Sequence, residues 1–130
     1  MKNCHVINSM ARLLPCLFLF WPFVSIAAPD CEAATVSVHC GAAPSALFDR
    51  KGRLWLVFEQ RQRIYVTVSD DRGRHFHTPV AVNREPEPVW TNGENRPKLA
   101  LGRNGEIYVS WTKKTPGNFT GDIRFSRSLD

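Results

Sequence analysis

No phosphate-binding loop, nucleophile elbow or zinc-binding helix motif occurs in the 130 residues. Their absence removes P-loop nucleotide chemistry, α/β-hydrolase chemistry and zincin-type proteolysis from the candidate functions. Basic residues form no run either. Arg50, Arg53, Arg61, Arg63, Arg72 and Arg74 are scattered along loops and strands, a pattern of solvated faces rather than of a nucleic-acid footprint. Metal-ligand clusters are missing as well. His75 and His77 are expected to share a face at strand spacing, which permits a metal site, but no carboxylate or cysteine follows at ligand spacing, and Asp70 with Asp71 lacks the further oxygen ligands of a calcium hand. Neither a metal nor a cofactor is expected.

Long hydrophobic runs are limited to the amino terminus. Lys2 and Arg12 precede an apolar stretch from Leu13 to Ala28, broken by Pro15 and Pro22 and short for a membrane span. Ser25 and Ala27 supply a cleavage site before Ala28. Residues 1–27 therefore read as a signal peptide, leaving no stable membrane span and a secreted or periplasmic product; an uncleaved anchor is the alternative. A bacterial lipoprotein signal is disfavoured, because Pro15 precedes Cys16 where a small residue is required. Loss of Lys2 and Arg12 takes the formal charge from +5 to +3, ordinary for an exported domain.

Cysteine is scarce, with four in the chain. Cys4 and Cys16 leave with the leader, so Cys31 and Cys40 remain in the N-terminal segment 28–40. In an oxidising compartment this pair is expected to form a disulfide around Glu32 to His39. Two free thiols, or a metal pair with His39, are the alternatives.

What the sequence does contain is a repeat. Pro44 to Phe58 superimposes without a gap on Pro97 to Trp111, 53 residues on, with Pro, Arg and Gly matched and apolar facing apolar. Further along, Ile64 pairs with Ile123, Ser69 with Ser128 and Asp71 with Asp130, now 59 residues apart. The second copy thus carries an insertion, placed in a loop around Thr115 to Gly121. Each unit reads as strand, Gly-centred hairpin, strand, connection, strand, turn, strand, and missing such a repeat would misassign the fold.

The turn has its own signature. Ser69 to Phe76 fits S-x-D-x-G-x-x-[FW], between a β-branched stretch at Ile64 to Val68 and a short apolar one at Pro79 to Val82. Gly73 can take positive φ, and the Asp71 carboxylate can accept hydrogen bonds from the backbone N–H groups of its own turn. Ser69 adds a second side-chain bond, and Phe76 folds back as an apolar plug.

These residues resemble the Asp-box, or BNR repeat, of sialidase-like β-propellers. The resemblance implies an all-β fold of four-stranded antiparallel blades, each with its Asp-box turn between the third and fourth strands. Residues 41–88 then form blade 1 with a full Asp-box (Ser69, Asp71, Gly73, Phe76). Residues 89–130 form a partial blade 2 ending inside its own (Ser128, Asp130). Propellers close with typically four to eight blades of roughly 40–50 residues, so the expectation is an incomplete propeller, with open blade edges that leave room for self-association.

The family resemblance also implies a chemistry. Sialidases hold the sialic acid carboxylate with three arginines and use a tyrosine nucleophile, activated by a glutamate, with an aspartate acid/base. Guanidinium groups suit this role because they grip a planar carboxylate bidentately and stay charged. In blade 1 the family's Arg-Ile-Pro position reads Ala42-Ala43-Pro44, and the connection Glu59 to Arg63 has no aspartate. In blade 2 the candidates are Arg96, one position nearer its proline than the family pattern, and Asp122. Tyr65 and Tyr108 match no nucleophile, so most of the catalytic set is missing and hydrolase activity is not expected at this length.

A long connection from Asn83 to Asn95 joins the units, and its prolines and Asn-Gly mark a loop. Here Trp90 can stack on a sugar ring, with Asn92, Glu94 and Asn95 offering hydrogen bonds; a tryptophan wedged between blades is the alternative. Asn118-Phe119-Thr120 is a glycosylation sequon, relevant only in a eukaryote. Two functional readings remain. One is a sialidase-like fragment whose full-length relatives act on glycans, sialylated ones included. The other is a non-catalytic propeller module that binds carbohydrate or another protein.

Overall fold

A computed structural model describes Cys31 and residues 35–128. The expected signal peptide and Asp130 lie outside the described residues. Seven strands form two antiparallel sheets: β1 (Ala42–Phe48), β2 (Leu54–Gln60), β3 (Arg63–Ser69) and β4 (Val80–Ala81) in the order β1-β2-β3-β4, and β5 (Lys98–Leu101), β6 (Ile107–Lys114) and β7 (Gly121–Ser128) in the order β5-β6-β7. Both sheets are simple meanders. The strands arise in stretches rich in apolar, β-branched and aromatic residues: Leu54–Gln60 opens with five apolar residues in a row, while Ile107–Lys114 alternates apolar and polar from Val109 to Thr112.

The internal repeat shows directly in this topology. β5, β6 and β7 stand in the second sheet where β1, β2 and β3 stand in the first. β2 and β3 meet at Arg61 and Gln62, whose φ values of 53° and 63° are those of a type I′ hairpin. The equivalent link between β6 and β7 is longer, spanning residues 115–120, where the insertion was expected.

The core lies between the sheets. Val57, Ile64 and Val66 from the first sheet meet Val109 and Trp111 from the second, with Val89 of the connection among them. Alternation then sends Phe58, Thr67 and Ser69 to the far face of the first sheet, where they are nevertheless buried. Two segments cover that face. One is the N-terminal stretch with a one-turn 3-10 helix at Val38–Cys40, which packs Gly41 on the Phe58 ring and donates the Ser37 N–H to Gln60 Oε1 at 3.1 Å. The other is the turn after β3, where Thr67 Oγ1 donates to the His77 carbonyl at 2.7 Å.

The expected disulfide is present, with Cys31 and Cys40 bonded at an S–S distance of 2.05 Å. Among the described residues no helix is long and apolar enough to cross a membrane. The sheets also touch along their inner edges, since Ser45 Oγ on β1 donates to the Pro97 carbonyl just before β5 at 2.5 Å.

Candidate functional site

The turn between β3 and β4 is the best-defined polar constellation. Ser69 is fully buried; its Oγ accepts the Gly73 N–H at 2.7 Å and donates to Asp71 Oδ1 at 2.8 Å. Asp71 Oδ1 also accepts the His75 N–H at 2.8 Å, and Oδ2 meets His75 Nδ1 at 2.5 Å. The backbone N–H and imidazole of His75, with the Ser69 hydroxyl, hold the Asp71 carboxyl well below the usual carboxylate range. Gly73 takes φ +94°, and a β-carbon there would stand 3.1 Å from Leu54 Cδ2. Phe76 is half-buried behind it. Each group satisfies another within the loop, so the arrangement holds a turn.

His75 and His77 do not share a strand face, because residues 74–79 are not strand. Each instead pairs with its own carboxylate, His77 Nε2 lying 2.6 Å from Asp70 Oδ2. Among the described residues no group of three or more His, Cys, Asp or Glu is placed to hold a metal ion.

Two hairpin carboxylates form a second pair of turn staples. Asp49 Oδ1 accepts the Lys51 and Arg53 N–H groups, each at 2.9 Å, while Oδ2 takes Arg53 Nε at 2.7 Å and Trp55 Nε1 at 3.2 Å. Burial works to raise its pKa, but the donors from Arg53, Trp55 and Lys51 outweigh it and keep the group well below the ordinary range. In the second sheet Glu106 reaches across its hairpin to the Asn104 N–H at 3.0 Å. Gly102 stands where Asp49 stood, and a β-carbon there would come within 2.8 Å of Glu106 Cδ. The repeat thus keeps a carboxylate under each hairpin while moving it to the opposite strand. Asp49 was legible as an Asx-type turn ahead of Gly52, a signal the sequence reading passed over.

The connection between the sheets is anchored rather than loose. Trp90 N–H donates to the Thr112 carbonyl and Lys114 N–H to the Pro88 carbonyl, at 2.9 and 2.8 Å, so the segment runs alongside β6. Glu87 reaches the second sheet: its Oε1 accepts Trp111 Nε1 at 2.7 Å, and Oε2 lies 3.6 Å from Arg124 Nε. Nothing in the sequence pattern marked Glu87, whose partners are brought near only by packing.

The sugar-binding candidates are partly brought together. A shallow depression of about 220 Å³ is lined by Trp90, Asn92, Asn95, Thr112 and Ile123. Trp90 is half-buried; its Nε1 donates to the Thr120 carbonyl at 3.0 Å, and Lys114 Nζ lies over the ring 4.8 Å from its centroid. Glu94, Arg96 and Asp122 do not line this depression. Arg96 is exposed and folds back, Nε donating to the Gly93 carbonyl at 2.8 Å. Asp122 sits exposed in β7, opposite Lys113 and 3.9 Å from Arg124 Nη2.

A larger cleft of about 500 Å³ opens between the sheets beside Ser126 and Ser128. Its walls are largely apolar, including Trp55, Val66, Val82, Ile107 and Val109, and continue the intersheet core. Its polar lining comes from Thr67, His77, Thr78, Ser126, Arg127 and Ser128. Comparison with protein-family models, with curated proteins and with solved structures finds no match to this chain.

Proposed function

We propose that this chain belongs to an exported Asp-box propeller of the sialidase-like kind, directed at glycans, and that its residues are inert as a hydrolase. The observation that carries this reading is the Ser69, Asp71, Gly73 and His75 bonding pattern, which closes the turn between the third and fourth strands of a four-stranded meander. The neighbouring inner strands β1 and β5 and the face-to-face core support it, because blades in a propeller meet in this way. Two features of the geometry support hydrolytic inertness. Arg96 is tied back to its own loop, and Asp122 belongs to a separate, exposed position.

The test is turnover of a fluorogenic sialoside together with titration of sialylated and neutral oligosaccharides. The expected result is no turnover with saturable glycan binding that weakens in Asn92→Ala. Turnover would overturn the inert assignment, and absence of any glycan binding would overturn the glycan-directed one.

A second reading, a non-catalytic assembly module, has its own support. Lys114 covers a face of the Trp90 indole and the Thr120 carbonyl takes its N–H, so one face of the aromatic platform that a sugar ring would use is already occupied.

A further inference from the structure

A cleft of about 570 Å³ opens where the hairpin joining β1 to β2 stands beside the one joining β5 to β6. It lies at the start of β6, whereas the Trp90 depression lies towards the other end of that strand, beside Thr112 and Thr120. Four cationic residues line the cleft, Arg50, Lys51 and Arg53 from one hairpin and Arg103 from the other, against a single carboxylate, Asp49. Arg50 and Arg103 hold the same place in the internal repeat, 53 residues apart, so two turns of like sequence bring like charge to one opening. A cleft lined by one sign of charge concentrates counter-ions.

The carboxylates nearby are already engaged inside their own hairpins. Asp49 accepts from Lys51, Arg53 and Trp55, and Glu106 accepts from the Asn104 N–H and Nδ2 at 3.0 and 3.1 Å. Among the described residues Arg50, Lys51 and Arg103 make no ion pair. Arg53 is held in place without being used up. Its Nε rests on Asp49 Oδ2 at 2.7 Å and its guanidinium lies over the Trp55 ring, 5.3 Å from the centroid, while neither Nη atom has a partner among the described residues. A guanidinium oriented in advance, with its outer nitrogens open, suits a planar carboxylate. Space is present on both sides, since a β-carbon at Gly52 or Gly105 would meet nothing within 4 Å.

We propose that this cleft binds the carboxylate of an acidic saccharide of the uronic-acid kind, Arg53 gripping the carboxylate and Arg50, Lys51 and Arg103 reaching it from the two hairpins. The volume is that of a small-molecule site, which fits one or two sugar rings. Asn104 gives its Nδ2 to Glu106 and keeps Oδ1 as an acceptor for a sugar hydroxyl. The cations gather at one opening rather than along a stripe, which disfavours a nucleic-acid strand. The choice of a saccharide rests on the glycan-directed reading; the carboxylate grip rests on Arg53 alone.

Isothermal titration calorimetry of the full chain, purified from an oxidising compartment, with digalacturonate as the probe tests this. Maltose serves as the neutral counterpart, and sulfate and duplex DNA as the other anions. One digalacturonate should bind per chain, more weakly as salt is added. Arg53→Lys keeps the charge but loses the fork, and should raise the dissociation constant roughly tenfold. Arg103→Ala removes an exposed tip cation that makes no ion pair, and should raise it roughly threefold. Arg84→Ala, which removes an exposed cation that does not line the cleft, should leave it unchanged. A circular dichroism spectrum matching that of the parent shows that each variant is folded. Parent-like affinity in both Arg53→Lys and Arg103→Ala, sulfate bound as tightly as digalacturonate, or DNA bound more tightly would each overturn the proposal. Binding of neutral saccharides without digalacturonate would overturn it while leaving the glycan-directed reading in place, whereas failure of every saccharide to bind would overturn both.

Discussion

Replacing Ser69 by alanine removes the hinge of the turn after β3. The hydroxyl is fully buried and bonds to the Gly73 N–H at 2.7 Å and to Asp71 Oδ1 at 2.8 Å. No water can reach a group with that burial, so the Gly73 N–H would be left without its partner. An unsatisfied buried donor costs about 1–3 kcal/mol. For a chain of this size each kcal/mol moves the melting temperature by about 4 °C, so the expected fall is about 4–12 °C. Thermal unfolding followed by far-ultraviolet circular dichroism at neutral pH reads this directly. Ser126→Ala, which trims a half-buried strand hydroxyl on β7, is the control and should stay within about 0.5 kcal/mol of the parent. If Ser69→Ala is no less stable than Ser126→Ala, the hydroxyl does not hold the turn and the structural account of the motif fails.

The remaining predictions concern the carboxylates, the N-terminal cover and the disulfide. Asp71 and Asp49 both have folded pKa values below the ordinary 3.8, so their contribution is complete above that value and is lost as pH falls through the depressed ones. Melting temperature should therefore fall on acidification below about pH 4, and less steeply in Asp71→Asn; equal slopes would refute the linkage. Gly41→Ala places a β-carbon 2.7 Å from Cγ of the fully buried Phe58 ring, and overpacking of this kind costs about 1–3 kcal/mol. Gly102→Ala meets chiefly the movable carboxyl end of Glu106, with Glu106 Cβ at 3.1 Å, so its urea midpoint should fall less than that of Gly41→Ala. Replacing both Cys31 and Cys40 by serine opens a loop of sequence separation 9 and should cost roughly 2–3 kcal/mol. Faster hydrogen exchange at Gly41 and Gln60 should accompany it, and unchanged exchange would show that the disulfide does not pin the cover.

Legibility followed the range of the interactions involved. The Ser69 to Phe76 turn, the Gly-centred hairpins and the longer β6 to β7 link could be read from the chain because each depends on residues a few positions apart. The disulfide expectation rested on two cysteines in one short segment, and it too is local. Trp90 carried two readings, sugar platform or interblade wedge, because a tryptophan in a proline-rich connection has no visible partner; its contacts Thr112, Lys114 and Thr120 arrive only when β6 and β7 form. Arg96 and Asp122 could be nominated by spacing, yet their separation is a matter of where β7 starts and how the preceding loop folds back.

The sequence by itself determined the strand order, the repeat and the chemistry of each turn, because short-range hydrogen bonding and alternation of apolar residues suffice for those. Tertiary structure alone decided which faces are covered. Phe58 and Phe125 are both strand phenylalanines of similar local context, but one lies beneath Gly41 while the other remains 65% exposed. Burial depends on which distant segment crosses a face, and no local pattern encodes that crossing.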